Sequence, residues 1–177
     1  MMKKLIALLL TLLLAFPALA ETLPLTEADF TLRLSDEADA PAYPIGEDAA
    51  GLLAALEAHT GAPVAMTFED ADCMLPGMTR EYLTADELFV VATRPLPGDP
   101  VANTVESVMV IAPDVATHRG ARVGMTLAEI EALYGTEYAL DWDTVVYGDA
   151  FGPQIFFFFD TEAWTCVGWM LFRNMVI

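Results

Sequence analysis

The sequence predicts an α+β protein built as a tandem repeat, each unit a short helix or helix pair packed on a three- to four-stranded antiparallel sheet. Three observations predict it. One is a fully signalled helix at 124–135, the second is the train of apolar runs that follows it, and the third is a fainter copy of the same order upstream. The division expected is a signal peptide at 1–20, an N-terminal strand and acidic loop at 21–41, a first repeat at 42–114 and a second at 115–177.

Residues 1–20 place Lys3 and Lys4 ahead of an unbroken apolar run from Leu5, then Pro17 and the small-x-small triplet Ala18-Leu19-Ala20. These are the parts of a cleavable secretory signal peptide, so the working chain is expected to begin at about Glu21 outside the cell or on the exterior of its envelope. The apolar run falls short of the roughly 20 residues a comfortable membrane span needs, so no stable insertion is expected after cleavage. No cysteine stands at the cleavage point to carry a lipid.

Next, Phe30, Leu32 and Leu34 alternate with Thr31 and Arg33, the period-2 pattern of a half-buried strand. An acidic, turn-rich stretch from Ser35 to Pro44 follows. The first repeat opens at Ile45-Gly46, with Asp48 as helix cap, a stripe of Leu52, Leu53 and Leu56, and a stop at Gly61-Ala62-Pro63. Its strand-like runs are Arg80 to Leu83, Leu88 to Thr93 and Thr104 to Ile111.

The second repeat carries the sharper signals. Thr126 and Glu129 form a capping box, Leu127, Ile130, Leu133 and Tyr134 make one apolar stripe, and Gly135 supplies the stop. Strand-like runs follow at Thr144 to Tyr147, Gln154 to Asp160 and Cys166 to Phe172, punctuated by Gly148, Gly152 and Pro153. The two copies lie roughly 75 residues apart, a spacing that reads as internal duplication.

The motif Arg122-Val123-Gly124-Met125-Thr126, the helix ending in Tyr134-Gly135, Tyr147 and the run Ile155 to Asp160 together resemble the BamE-like fold. That group includes small outer-membrane-assembly lipoproteins and the β-lactamase inhibitory proteins, themselves tandem repeats of such a unit. The chain also resembles uncharacterised secreted proteins of Gram-positive anaerobes, in which Cys73, the Gly77 turn and Tyr82 fall in a comparable segment. The resemblance implies a fold and a non-enzymatic protein-binding role. It departs from the inhibitory proteins in having one cysteine pair where they carry a disulfide in each repeat.

Charge narrows the partners. Both lysines lie in the signal peptide, so six arginines face 26 acidic side chains in the remainder. Such a field repels nucleic-acid phosphates and anionic lipid and favours cationic partners. The two cysteines, Cys73 and Cys166, are either a disulfide or two buried free thiols. In an oxidising compartment the disulfide is the expectation, stabilising by on the order of 4 kcal/mol for so long a loop.

Catalytic constellations are scarce. The only serines beyond the signal peptide, Ser35 and Ser107, lie in no nucleophile elbow, and His59 and His118 stand alone with no zinc-ligand spacing. No catalytic residue and no cofactor is expected. Glu69, Asp70 and Asp72, and Asp141 with Asp143, are weak calcium candidates without an EF-hand loop. A small extracellular hydrolase working through two carboxylates, or a calcium-binding scaffold, are the alternative readings.

The informative run is Ile155-Phe156-Phe157-Phe158-Phe159, because a strand alternates its side chains and here both faces are apolar. One face packs under helices. The other is expected to be covered by the second repeat, by the N-terminal strand, or by an extracellular or envelope protein partner anchored on Phe156, Phe158, Trp169 and Leu171.

Overall fold

The computed structural model describes residues 24–37, 39–71, 79–96 and 99–173. It shows an α+β protein with two α-helices on one side of a single eight-stranded antiparallel sheet. The expected signal peptide and Cys73 lie outside the described residues.

A 3-10 turn at Glu27–Phe30 leads into β1 (Thr31–Leu32), which pairs with β2 (Tyr43–Pro44) in a separate two-stranded sheet. The N-terminal strand read from the Phe30 alternation is thus only two residues long and does not join the main sheet. Helix α1 (Ala49–Thr60) is followed by β3 (Ala65–Ala71), β4 (Thr79–Ala85), β5 (Phe89–Leu96) and β6 (Asp99–Val110). Helix α2 (Leu127–Tyr134) is followed by β7 (Ala139–Asp141), β8 (Thr144–Gly148), β9 (Pro153–Phe159) and β10 (Cys166–Arg173). The strand order is β3-β4-β5-β6-β10-β9-β8-β7, so each helix precedes a four-strand meander and the last strands of the two meanders pair at the centre.

Both helices start where the sequence places them. Asp48 accepts from the Ala50 N–H, and Thr126 exchanges hydrogen bonds with Glu129, satisfying amides that a helix start leaves unpaired. Gly61 and Gly135 donate their N–H groups to Glu57 and Glu131 to close the last turns. The approach to each helix has a matching anchor. Gly46 donates to the Val105 carbonyl and Val105 donates back to Glu47, while Gly124 donates to Cys166 and Cys166 donates back to Met125. Gly46 and Gly124 hold φ of 104° and 92°, a conformation a Cβ disfavours.

The core lies between the helices and the sheet. Leu52, Leu56, Ile130 and Tyr134 pack onto Val91, Val108, Val110, Phe157, Trp169 and Leu171, all buried. Trp169 stands opposite Val110 on β6 and Phe157 on β9, so one indole seals the central seam.

A second anchor ties the N-terminal segment to the loop between the halves. Arg119 donates from Nε to Asp29 Oδ1 at 2.7 Å and from Nη2 to Asp29 Oδ2 at 2.9 Å, and also reaches the Pro24 carbonyl at 2.8 Å. Its guanidinium lies 4.9 Å from the centre of the Tyr134 ring. Asp29 is 1% exposed. Burial alone would push its carboxyl up, but the bonds from Arg119 and from the Thr26 amide and hydroxyl outweigh it and hold Asp29 below its ordinary value.

Removing one partner of this pair leaves a buried charge, so Asp29→Ala is expected to cost about 3 kcal/mol in denaturant unfolding. Because the folded value is depressed, the contribution is complete above the unfolded carboxylate value of about 4 and vanishes as pH falls through the lower folded value. Unfolding of the parent and of Asp29→Asn between neutrality and acid will show a steeper loss in the parent.

Candidate functional site

Register assigns every strand residue a face. Across β8, β9, β10 and β6, Val145, Phe157, Trp169 and Val110 are opposite one another on the helix side. Their neighbours Val146, Phe156, Met170 and Met109 line up on the side that no helix covers. The four partner-binding candidates therefore split. Phe156 and Phe158 lie on the helix-free face and are half-buried, whereas Trp169 and Leu171 are 0% and 1% exposed in the core. The β-bulge at Cys166–Gly168, together with the length of the β9–β10 turn, sets this register.

On the helix-free face, the rings of Phe156 and Phe158 are parallel to within 11° at 6.5 Å, and Phe172 meets Phe156 edge-on at 6.3 Å. The half-buried Met170, Val146 and Met109 extend this patch. At the other end of the same face the chemistry changes. Arg80 donates from Nη2 to Glu106 Oε1 at 2.9 Å and Arg94 pairs with the same carboxylate, with Glu106 only 2% exposed. Sequence reasoning missed this trio; the one visible signal is Glu106 inside the apolar run Thr104 to Ile111. Beyond it, Phe68 and Tyr82 pair across β3 and β4 at 5.6 Å.

The cysteine expectation is corrected. Cys166 is a buried free thiol whose Sγ donates to the Gly168 carbonyl at 3.2 Å, and no disulfide forms among the described residues. Burial pushes the Cys166 thiol up to about 11, against the weaker opposing effect of Gly168.

No group of three or more His, Cys, Asp or Glu side chains among the described residues is placed to hold a metal ion. Glu69 and Asp70 are consecutive on extended β3 and so point to opposite faces, and Asp72 lies outside the described residues. Asp141 and Thr144 flank the two-residue turn Trp142-Asp143, where the Asp143 carboxylate accepts from the Thr144 hydroxyl.

A cavity of about 480 Å³ opens where Pro24 to Glu27 and Phe30 meet Tyr134, Tyr147 and Pro153, with Glu137 and Asp149 at its edge. Its phenols are committed: Tyr134 donates to Thr117 and Tyr147 to the Gly135 carbonyl, each at 2.8 Å. Burial raises both above the ordinary tyrosine value, so they stay neutral hydrogen-bond donors at physiological pH. His59 sits edge-on to Phe89 at 5.7 Å and 3.5 Å from Asp114, at the end of α1 as its position in the sequence implies.

The hairpin turns carry an unexpected feature. Every non-glycine residue with positive φ among the described residues, namely Asp86, Glu87, Trp142 and Trp164, lies in a turn at one end of the sheet. Trp142 is the first residue of a two-residue turn and Trp164 the last turn residue but one before β10, positions usually filled by glycine. Holding a bulky residue there costs about 1–3 kcal/mol.

Trp169→Ala is expected to destabilise by about 3–5 kcal/mol, whereas Phe156→Ala, from a half-exposed site, costs about 1 kcal/mol. Equilibrium unfolding of the two variants measures the difference between the faces. Cys166 is expected to stay unlabelled by iodoacetamide in the native protein at pH 7 and to label once unfolded, read by mass spectrometry.

No family model and no curated protein matches the chain. Among solved structures it is similar to an extracellular protein containing a SCP domain from Bacillus anthracis str. Ames. The identity is 12% and the TM-score 0.48, over 73% of this chain and 44% of that one, so the chain spans less than half the length of that protein. Neither a BamE-like family model nor a curated BamE-like protein is matched, which corrects the resemblance read from Arg122 to Thr126. No helix among the described residues is long and apolar enough to cross a membrane.

Proposed function

We propose that the protein is a secreted, non-enzymatic binding module that docks a protein partner on the helix-free face of its sheet. The observation carrying this reading is the Phe156, Phe158 and Phe172 cluster, half-buried on a face that no helix covers. Rigid aromatic rings lose little side-chain freedom on binding and supply large contact area, which is why they serve as interface anchors. The Arg80–Glu106–Arg94 trio, with Glu106 and Arg94 buried and Arg80 half-buried, bounds the patch on one side, so the docking area is the β10–β9–β8 half of the face. An acidic surround steers cationic partners towards it. Secretion rests on the signal-peptide pattern of residues 1–20.

The same proposal treats the two halves as a duplicated unit. Its support is the pair of reciprocal backbone bonds that fixes each helix start to the last strand of its own meander, Gly46 and Glu47 with Val105, Gly124 and Met125 with Cys166. Between such copies the open faces diverged, one closing over a charge cluster and the other keeping its rings.

The test compares the exported chain with a Phe156→Ser/Phe158→Ser variant as baits for extracellular material, after circular dichroism has established that both are folded. A protein retained by the parent and lost at least tenfold by the variant is the expected result. Identical retention by both baits would remove this face as the docking site.

A further inference from the structure

The end of the sheet formed by the β4–β5, β9–β10 and β7–β8 turns is a second surface, and its chemistry specifies a ligand. Trp142 is 92% exposed and Trp164 is 39% exposed, and each occupies a backbone conformation that glycine would adopt more easily. The two turns adjoin. The Phe159 N–H donates to the Asp143 carbonyl at 2.8 Å, and the Phe159 ring stands 5.9 Å from Trp164. Around the tryptophans, the turn residues Asp86, Glu87 and Glu162 and Asp141 at the end of β7 commit their carboxylates to no partner among the described residues. The Asp160 carboxylate, by contrast, is used to accept from the Glu162 and Ala163 amides. No lysine or arginine occurs in these turns, and nearby His59 and Arg122 lie against Asp114 and Asp36.

We infer that this end docks an extended, arginine-bearing segment of a partner protein. Indole faces attract guanidinium groups, and carboxylates beside them accept its paired N–H donors. An ammonium fits the carboxylates but stacks less well, so arginine is the expected choice over lysine. The three turns span about five strand spacings, about 24 Å, which an extended segment of about seven residues covers. The inference rests on the turns alone and is independent of the Phe156 patch.

The test is fluorescence anisotropy of labelled octa-arginine titrated with the exported chain at low salt, with quenching of exposed indole emission as a second readout. Octa-arginine is expected to bind at least threefold more tightly than octa-lysine. Trp142→Gly, at a position glycine suits, is expected to keep or raise the melting temperature while weakening octa-arginine binding at least fivefold. Phe151→Gly removes a ring that is 83% exposed at the opposite end of the sheet and is expected to shift binding less than twofold. Phe156→Ser is likewise expected to leave octa-arginine binding within twofold, which separates this surface from the helix-free face. Equal effects of Trp142→Gly and Phe151→Gly would reduce the interaction to bulk negative charge and overturn the proposal, as would no binding at all. Trp142-dependent binding to phosphatidylcholine vesicles, in place of the peptide, would overturn it in favour of a bilayer.

Discussion

The pairing of β6 with β10 is the constraint on which the architecture depends. Each meander ends in a strand that would be an exposed edge on its own, and joining the two edges converts two small sheets into one eight-stranded sheet. Trp169 sits on that seam against Val110 and Phe157, so side-chain burial and backbone pairing reinforce one another at the same place. The backbone anchors at Gly46 and Gly124 then fix each helix to the strand that forms the seam. Position of the helices, burial of the core and exposure of the second face all follow from this junction.

Much of the fold was legible because its signals are local. Caps and glycine stops define both helices, and the six strands with apolar alternation or continuous apolar runs coincide with observed strands. The two strands of the main sheet that sequence reading passed over, β3 and β7, are its outer edges. Every residue of each is exposed, so no burial pattern marks them in the sequence. The candidate site was legible only in part. A strand apolar on both faces does not reveal which face its neighbour shares, and register alone separates Phe156 and Phe158 from Trp169 and Leu171. The cysteine expectation failed for a related reason, because parity and compartment say nothing about where Cys166 is buried.

The two halves of the helix-free face solve the same problem by opposite means. Glu106 inserts at a β-bulge of β6 and is closed over by Arg80 and Arg94, whose guanidinium groups pair with its oxygens. In the other half, stacked rings shield one another incompletely and remain accessible. Polar closure at one end and aromatic self-contact at the other divide a single surface into a charge-paired region and a half-buried aromatic one.

Strand β3 has one more consequence, for self-association. Seven consecutive exposed residues offer an open ladder of backbone donors and acceptors to any second copy, the usual seed of fibrous polymers. Glu69 and Asp70 within it, and the kink between Met66 and Phe68, set like charge against like and bend the ladder out of register with its own image. The acidity of this outer strand therefore opposes concatenation through its edge by like-charge repulsion.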